Sequence, residues 1–244
     1  MTQLLILLPL LAPAPIGQYL PDSGDYLRDA DLQRVSLQRY WAADLPLPAG
    51  DRATGAYLVD DRLYVTTRLG NAVALHAPSG VVLWSRNLTE GLIPIQPPTH
   101  LRAPDGPGPV IFLTDTEAFV FDRDSGDPVA QFEVPFVVSS SAVGDLETIY
   151  AGSTDGHMYA LRWGRTRQGD KPVEAWRVRT AGPIRSDPLW DGQDLYFASA
   201  DGEVHGCRAY NRMHQWTVRT GGPIAGNPAF DLDAIFVAGD DDDA

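Results

Sequence analysis

A chain of 244 residues with 44% hydrophobic content is long enough to bury a sizeable core, in one large domain or two small ones. Its formal charge of −13 repels a phosphate backbone and an anionic bilayer, which argues against nucleic acid and direct membrane insertion. The single Cys207 excludes an internal disulfide and any cysteine-cluster metal site, while 23 Gly and 20 Pro point to a turn-rich β protein.

The apolar run LLILLPLLA at residues 4–12 has the length of a secretory signal core and is too short to span a bilayer as a helix. Residues 1–18 are therefore read as a signal peptide, placing the protein in the periplasm or outside the cell. No Lys or Arg precedes the run, and Pro15 follows the best small-x-small site, Ala12-Pro13-Ala14. A core strand is the alternative use of the same run. No cysteine follows it to carry a lipid anchor. Residues 19–36 form a polar, acidic lead-in, with a short helical turn expected after Ser23, whose hydroxyl caps it.

From residue 37 to 244 one unit is repeated. It begins with a strand ending near Trp41, and its first full copy has strands at Leu63–Thr67, Ala72–Leu75 and Val81–Leu88. Turns at Gly70-Asn71 and Pro78-Ser79-Gly80 separate them, since Pro presets the backbone and Gly accepts positive φ. In the second copy PPTHLRAPDGPGP (97–109) reads as a Pro/Gly loop and not a strand, before VIFLTD (110–115) and AFVFD (118–122). Asp124-Ser125-Gly126 repeats the earlier turn, but Ala130 stands where tryptophan is expected, and Phe132 is expected to fill part of the gap. The third copy has Ile149-Tyr150, Asp155-Gly156 and Tyr159-Ala160-Leu161, then a long basic hairpin before Trp176. The fourth has Leu195-Tyr196, Asp201-Gly202 and Trp216, with Asn211 in the turn role that glycine holds earlier.

The tightest self-match is WRVRTAGPIRSDP (176–188) against WTVRTGGPIAGNP (216–228), identical at eight of thirteen positions. Tryptophan positions fall at 41, 84, 130, 176 and 216, spaced by 43, 46, 46 and 40 residues. Such a period in a β-branched, Gly-rich text without helical spacing means propeller blades. The expected fold is all-β: a β-propeller of four-stranded antiparallel blades, about four and a half of them present. Trp41, Trp84, Trp176 and Trp216 are then blade-docking side chains, with ligand stacking as their other use. Gly80, Gly126, Gly156 and Gly202 are blade turns.

ALHAPSGVVLW at 74–84 resembles the A-L-D-A-x-T-G-x-x-x-W repeat of the PQQ-like β-propeller family, with His76 for Asp and Ser79 for Thr. VFDRDSG at 120–126 and DGHMYAL at 155–161 carry it further. That family joins quinoprotein dehydrogenases to non-catalytic propellers of the BamB type, and the resemblance implies seven or eight blades. A dehydrogenase of this kind implies a calcium-bound quinone, a catalytic Asp and a vicinal cysteine pair. One cysteine excludes the pair. No catalytic, cofactor-binding or metal-ligating residue is assigned, and no cofactor is expected. The five histidines lack ligand spacing, and Asp240–Asp243 reads as a solvated turn. The BamB-type reading implies protein partners in the cell envelope. The chain is expected to be either a piece of a longer propeller or one arc of a homodimer. The hairpin carrying Arg165, Arg167 and Lys171 is the candidate interaction loop, being basic on an acidic protein. The aromatics Trp190 and Tyr210 suggest a third reading, carbohydrate binding.

Overall fold

The computed structural model describes residues 3–9, 29–90, 92–164, 171–224, 226–231 and 234–239. It divides into two compact units, 1–92 and 93–244. The first holds β1 (Gln3–Pro9), α1 (Asp29–Arg34), β2 (Leu37–Asp44), β3 (Ala53–Val59), β4 (Arg62–Thr67), β5 (Asn71–His76) and β6 (Val81–Asn87). The first part of the apolar run pairs as β1 against β2, antiparallel, and β3 to β6 form a four-stranded meander. The turn expected after Ser23 begins outside the described residues; the short helix that is described starts at Asp29.

The second unit holds three more such sheets. They are β7 (Thr99–Ala103), β8 (Gly106–Leu113), β9 (Glu117–Phe121) and β10 (Pro128–Glu133); β11 (Val138–Gly144), β12 (Thr148–Ser153), β13 (His157–Arg162) and β14 (Val173–Arg179); and β15 (Leu189–Trp190), β16 (Asp194–Ala198), β17 (Glu203–Arg208) and β18 (His214–Arg219). A hairpin of β19 (Ala229–Asp231) and β20 (Ala234–Phe236) follows. These four antiparallel sheets, blades one to four in chain order, are the expected propeller blades. In blades one, three and four the second and third strands are buried almost throughout, whereas the fourth strands of blades one and three fully bury only their tryptophan. Strands covered on both faces lose the simple polar alternation of a one-sided sheet.

Residues 97–109 are not a loop: most of them form the β7–β8 hairpin, turning at Pro104-Asp105. Pro107 and Pro109 lie in β8, yet the ladder between β8 and β9 starts only at Val110. Proline lacks an N–H, and in this two-stranded stretch the side facing away from β7 needs none. Leu101 points inward and is fully buried.

A register rule runs through the blades. In blade one Tyr64, Ala74 and Trp84 stand side by side on adjacent strands. Blade three places Tyr150, Ala160 and Trp176 in the same way, and blade four Tyr196, Gly206 and Trp216. The small middle residue lets the two rings meet across it, with centroids 5.9, 5.6 and 5.9 Å apart. A Cβ on Gly206 would stand 2.5 Å from the Trp216 ring. Just ahead of each ring the fourth strand carries a bulge, which increases local twist.

Blade two inverts the rule. Its aligned residues are Ile111, Val120 and Ala130, so bulk sits in the middle and the outer seat is small. Phe132 is buried as expected, but it stacks on an unforeseen residue, Trp163 of blade three, at 6.0 Å and 25°.

Candidate functional site

Two of the repeated tryptophans, Trp41 and Trp176, reach across to a neighbouring element. Trp41 of β2 is buried, donates Nε1–H to the Ala77 carbonyl at 2.8 Å, and lies over Gly80. Gly80 has φ 71°, and a Cβ there would stand 2.5 Å from the indole, so two separate constraints demand glycine. Trp176 of β14 donates Nε1–H to the Ala209 carbonyl at 2.8 Å across the seam to blade four. Ala77 and Ala209 occupy equivalent positions, each just past the third strand of its blade. The equivalent residue of blade three is Trp163. Its indole enters the seam from the opposite side, where blade two offers only Ala130, and donates to the Asp145 carbonyl at 3.0 Å. Trp84 is buried and Trp216 half-buried.

The glycine turns are of two kinds. Gly80 and Gly126, with φ 71° and 69°, close third-to-fourth-strand hairpins. Gly156 and Gly202, with φ 79° and 85°, close second-to-third-strand hairpins, where a Cβ would strike the carbonyls of Gly182 and Gly222. Thr180 clasps Gly156 and Gly182 through one hydroxyl, and Thr220 clasps Gly202 and Gly222 alike. The self-matching R-T-x-G-P-I text is this clasp. In the turn before β18 the left-handed residue is Arg212, φ 55°, not Asn211. The Asn211 side chain accepts the Met213 N–H, which puts asparagine at the start of the turn and passes the positive φ to its neighbour.

A second latch was not foreseen. The Asp187 carboxylate accepts the Ser141 backbone N–H at 2.6 Å, and the Asn227 side chain accepts the Asp187 N–H at 2.8 Å. Asp and Asn at matching places in the repeat, each before a proline, thus link successive first strands or their lead-in segments. The Asp-Pro and Asn-Pro pairs are the sequence signal.

Of the proposed interaction loop, Arg165 and Arg167 lie outside the described residues. Lys171 is described: its ammonium meets the Glu133 carboxylate of β10 at 2.8 Å. Each holds the other's charge, lowering the Glu133 pKa and raising that of Lys171, but both are exposed and screened by water.

Trp190 and Tyr210 do come together. With Asp145, Tyr150, Arg162 and Gln193 they line a cleft of about 400 Å³ between blades three and four. The β11–β12, β15–β16 and β17–β18 turns converge there beside the end of β13, because the first and third hairpins of an antiparallel meander lie at one end of the sheet. Arg102, from the tip of β7–β8, holds Trp190 from outside. Its guanidinium lies 4.8 Å from the ring centroid and donates to the Asp191 carbonyl at 2.7 Å. Gly192 leaves the room that this guanidinium fills, since a Cβ there would lie 2.1 Å from Nη1. The Asp191 carboxylate accepts the N–H groups of Gln193 and Asp194, both at 2.7 Å, and these bonds lower its pKa against the opposing effect of burial. Burial, then the Asp145 charge, pushes the Tyr150 phenol up to about 12. The Trp190 Nε1 is buried with no acceptor among the described residues.

Among solved structures, BamB from Moraxella catarrhalis is similar over 82% of this chain and 61% of its own, with 21% identity and a TM-score of 0.58. Sqt1 from Saccharomyces cerevisiae matches over 84% of this chain and 60% of its own, with 13% identity and a TM-score of 0.59. The computationally designed Ika8 protein matches over 77% and 55%, with 12% identity and a TM-score of 0.58. At these identities the likeness is one of fold, and the chain spans less than two thirds of each neighbour. No curated protein matches the sequence. The family described as outer membrane protein assembly factor BamB matches residues 28–171, more than half of the chain, and the protein belongs to that family of PQQ-like propellers.

Proposed function

We propose that the protein is an exported, non-enzymatic propeller scaffold that holds protein partners in the cell envelope. Membership of the BamB family carries this reading. The use of the repeated side chains supports it: two of the repeated indoles and Trp163 each hydrogen-bond within the fold, and the R-T-x-G-P-I text clasps turns. The sequence has one cysteine, where the quinoprotein branch of the resemblance calls for a vicinal pair. The apolar run at 4–12 supports export, although its first part pairs as β1 with β2 in the fold, and the net charge of −13 favours solubility in the envelope.

The test uses the tagged, intact protein expressed in its own cells. Cross-linking followed by purification from envelope extracts is expected to enrich the same partner in independent preparations, in the periplasmic or membrane fraction. Cytoplasmic residence, or no reproducible partner, would overturn the reading. So would dye-linked oxidation of an alcohol or sugar after adding the quinone and calcium.

A further inference from the structure

We infer that the cleft between blades three and four is a binding site for a short, neutral oligosaccharide. Its volume of about 400 Å³ falls within the range of small-molecule sites. The protein assembles a stacking platform, a set of hydrogen-bonding tips and a balanced charge within that space.

The platform is Tyr210. It is 71% exposed, and no ring or cation covers it among the described residues. The exposed ring contributes little to the core and leaves a face open for stacking at the cleft. A pyranose offers a matching patch of axial C–H groups. Trp190 forms another wall and is held against Tyr150, with centroids 5.9 Å apart.

Three of the four polar tips have side chains without partners among the described residues. The Gln193 side-chain amide, the Thr148 hydroxyl and the Arg162 guanidinium make no side-chain hydrogen bond or ion pair among the described residues. Asp145 spends one carboxylate oxygen on the N–H groups of Glu147 and Thr148, both at 2.8 Å. Amide, carboxylate and guanidinium are planar groups that present two polar atoms side by side, the spacing of adjacent hydroxyls on a sugar ring. The Asp191 turn and the Arg102 guanidinium fix the Trp190 wall in advance, so the ordering cost falls on the polar tips alone.

Charge and backbone decide between ligand classes. One cation and one anion line the cleft, which gives a charged ligand no net advantage, and the chain's −13 disfavours an acidic one. An extended peptide that adds as a strand needs free backbone groups. Here Trp190 is paired with Leu195, and the Ala209 N–H donates to the Gln193 carbonyl at 3.0 Å. A polyhydroxylated, uncharged ligand with an apolar face satisfies both constraints. The site is independent of the scaffold reading, since its ligand titration contains no protein partner.

The experiment is calorimetric titration of the intact protein with cellotriose, maltotriose and triacetylchitotriose, each alone, and with decaproline as the peptide probe. At least one trisaccharide is expected to bind saturably. Tyr210→Ala and Gln193→Ala should each weaken it by about tenfold or more. Leu58→Ala, exposed in the other unit, should leave it unchanged. The two cleft positions are on surface turns, and matching thermal melts will establish that the variants are folded. Absence of saturable binding by all three sugars overturns the inference. Undiminished binding in both cleft variants does the same. Decaproline binding that depends on Tyr210, with the sugars inert, would replace the saccharide with a proline-rich peptide.

Discussion

The seam between blades two and three can be tested by moving its tryptophan. Trp163 is 5% exposed, stacks on Phe132 and donates to Asp145, so Trp163→Ala removes a buried ring and a hydrogen bond. Deleting such a ring costs about 3–5 kcal/mol, and for a chain of this size each kcal/mol lowers Tm by about 2–4 °C. The expected drop is therefore roughly 6–20 °C. Ala130→Trp alone drives a second indole into a filled seam, and overpacking of this kind costs about 1–3 kcal/mol. Together the two changes recreate the arrangement of Trp41 with Ala77 and of Trp176 with Ala209. The double variant should then be more stable than the sum of the singles implies, by about 2 kcal/mol or more. Urea unfolding followed by circular dichroism measures all four proteins. Additivity within about 0.5 kcal/mol would show that the two positions do not share one space, and the reasoning would fail.

Other consequences are equally open to measurement. Gly50→Ala and Gly80→Ala both place alanine at positive φ, 83° and 71°, but only Gly80 has a ring in the way. Gly50→Ala should cost about 1–2 kcal/mol and Gly80→Ala distinctly more, and equal losses would dismiss the Trp41 seat. Asp187→Ala should lose about 1–3 kcal/mol and speed amide exchange at Ser141, while Asp187→Asn keeps an acceptor and most of the protection. Unchanged exchange at Ser141 in the alanine variant would refute the latch. In alkali, burial raises Tyr150 from 10.0 to about 12 and Cys207 from 9.0 to about 11. Because the unfolded chain releases these protons first, their contribution is intact below the unfolded values and is lost as pH rises through the folded ones. Stability should fall across that window, and less so in a Tyr150→Phe, Cys207→Ala double variant. An identical slope in the double variant would refute the assignment.

The repeat was legible because its anchors obey local rules: tryptophan facing a small residue, glycine where φ is positive, proline after Asx. The same residue-by-residue reading failed wherever a role is divided between distant positions. Trp163 looks like part of a hairpin until Ala130, on another blade, is seen to leave the space it fills. The prolines of 97–109 read as breakers because nothing local reveals that β9 begins its pairing only at Val110. The aromatic pair Trp190 and Tyr210 was visible, but the polar tips around it were not, since they come from three separate hairpins.

In a row of repeats that touch only their neighbours, stability is a sum of nearest-neighbour terms, and the end of the row can fray one unit at a time. Arg102 breaks that arithmetic. Its backbone bridges to Asp145 of blade three while its guanidinium grips Trp190 and Asp191 of blade four. Blade two thereby holds the blade beyond its neighbour. The coupling makes opening at blade four a matter for three blades at once, and it keeps the turn that shapes the cleft from drifting when blade four breathes.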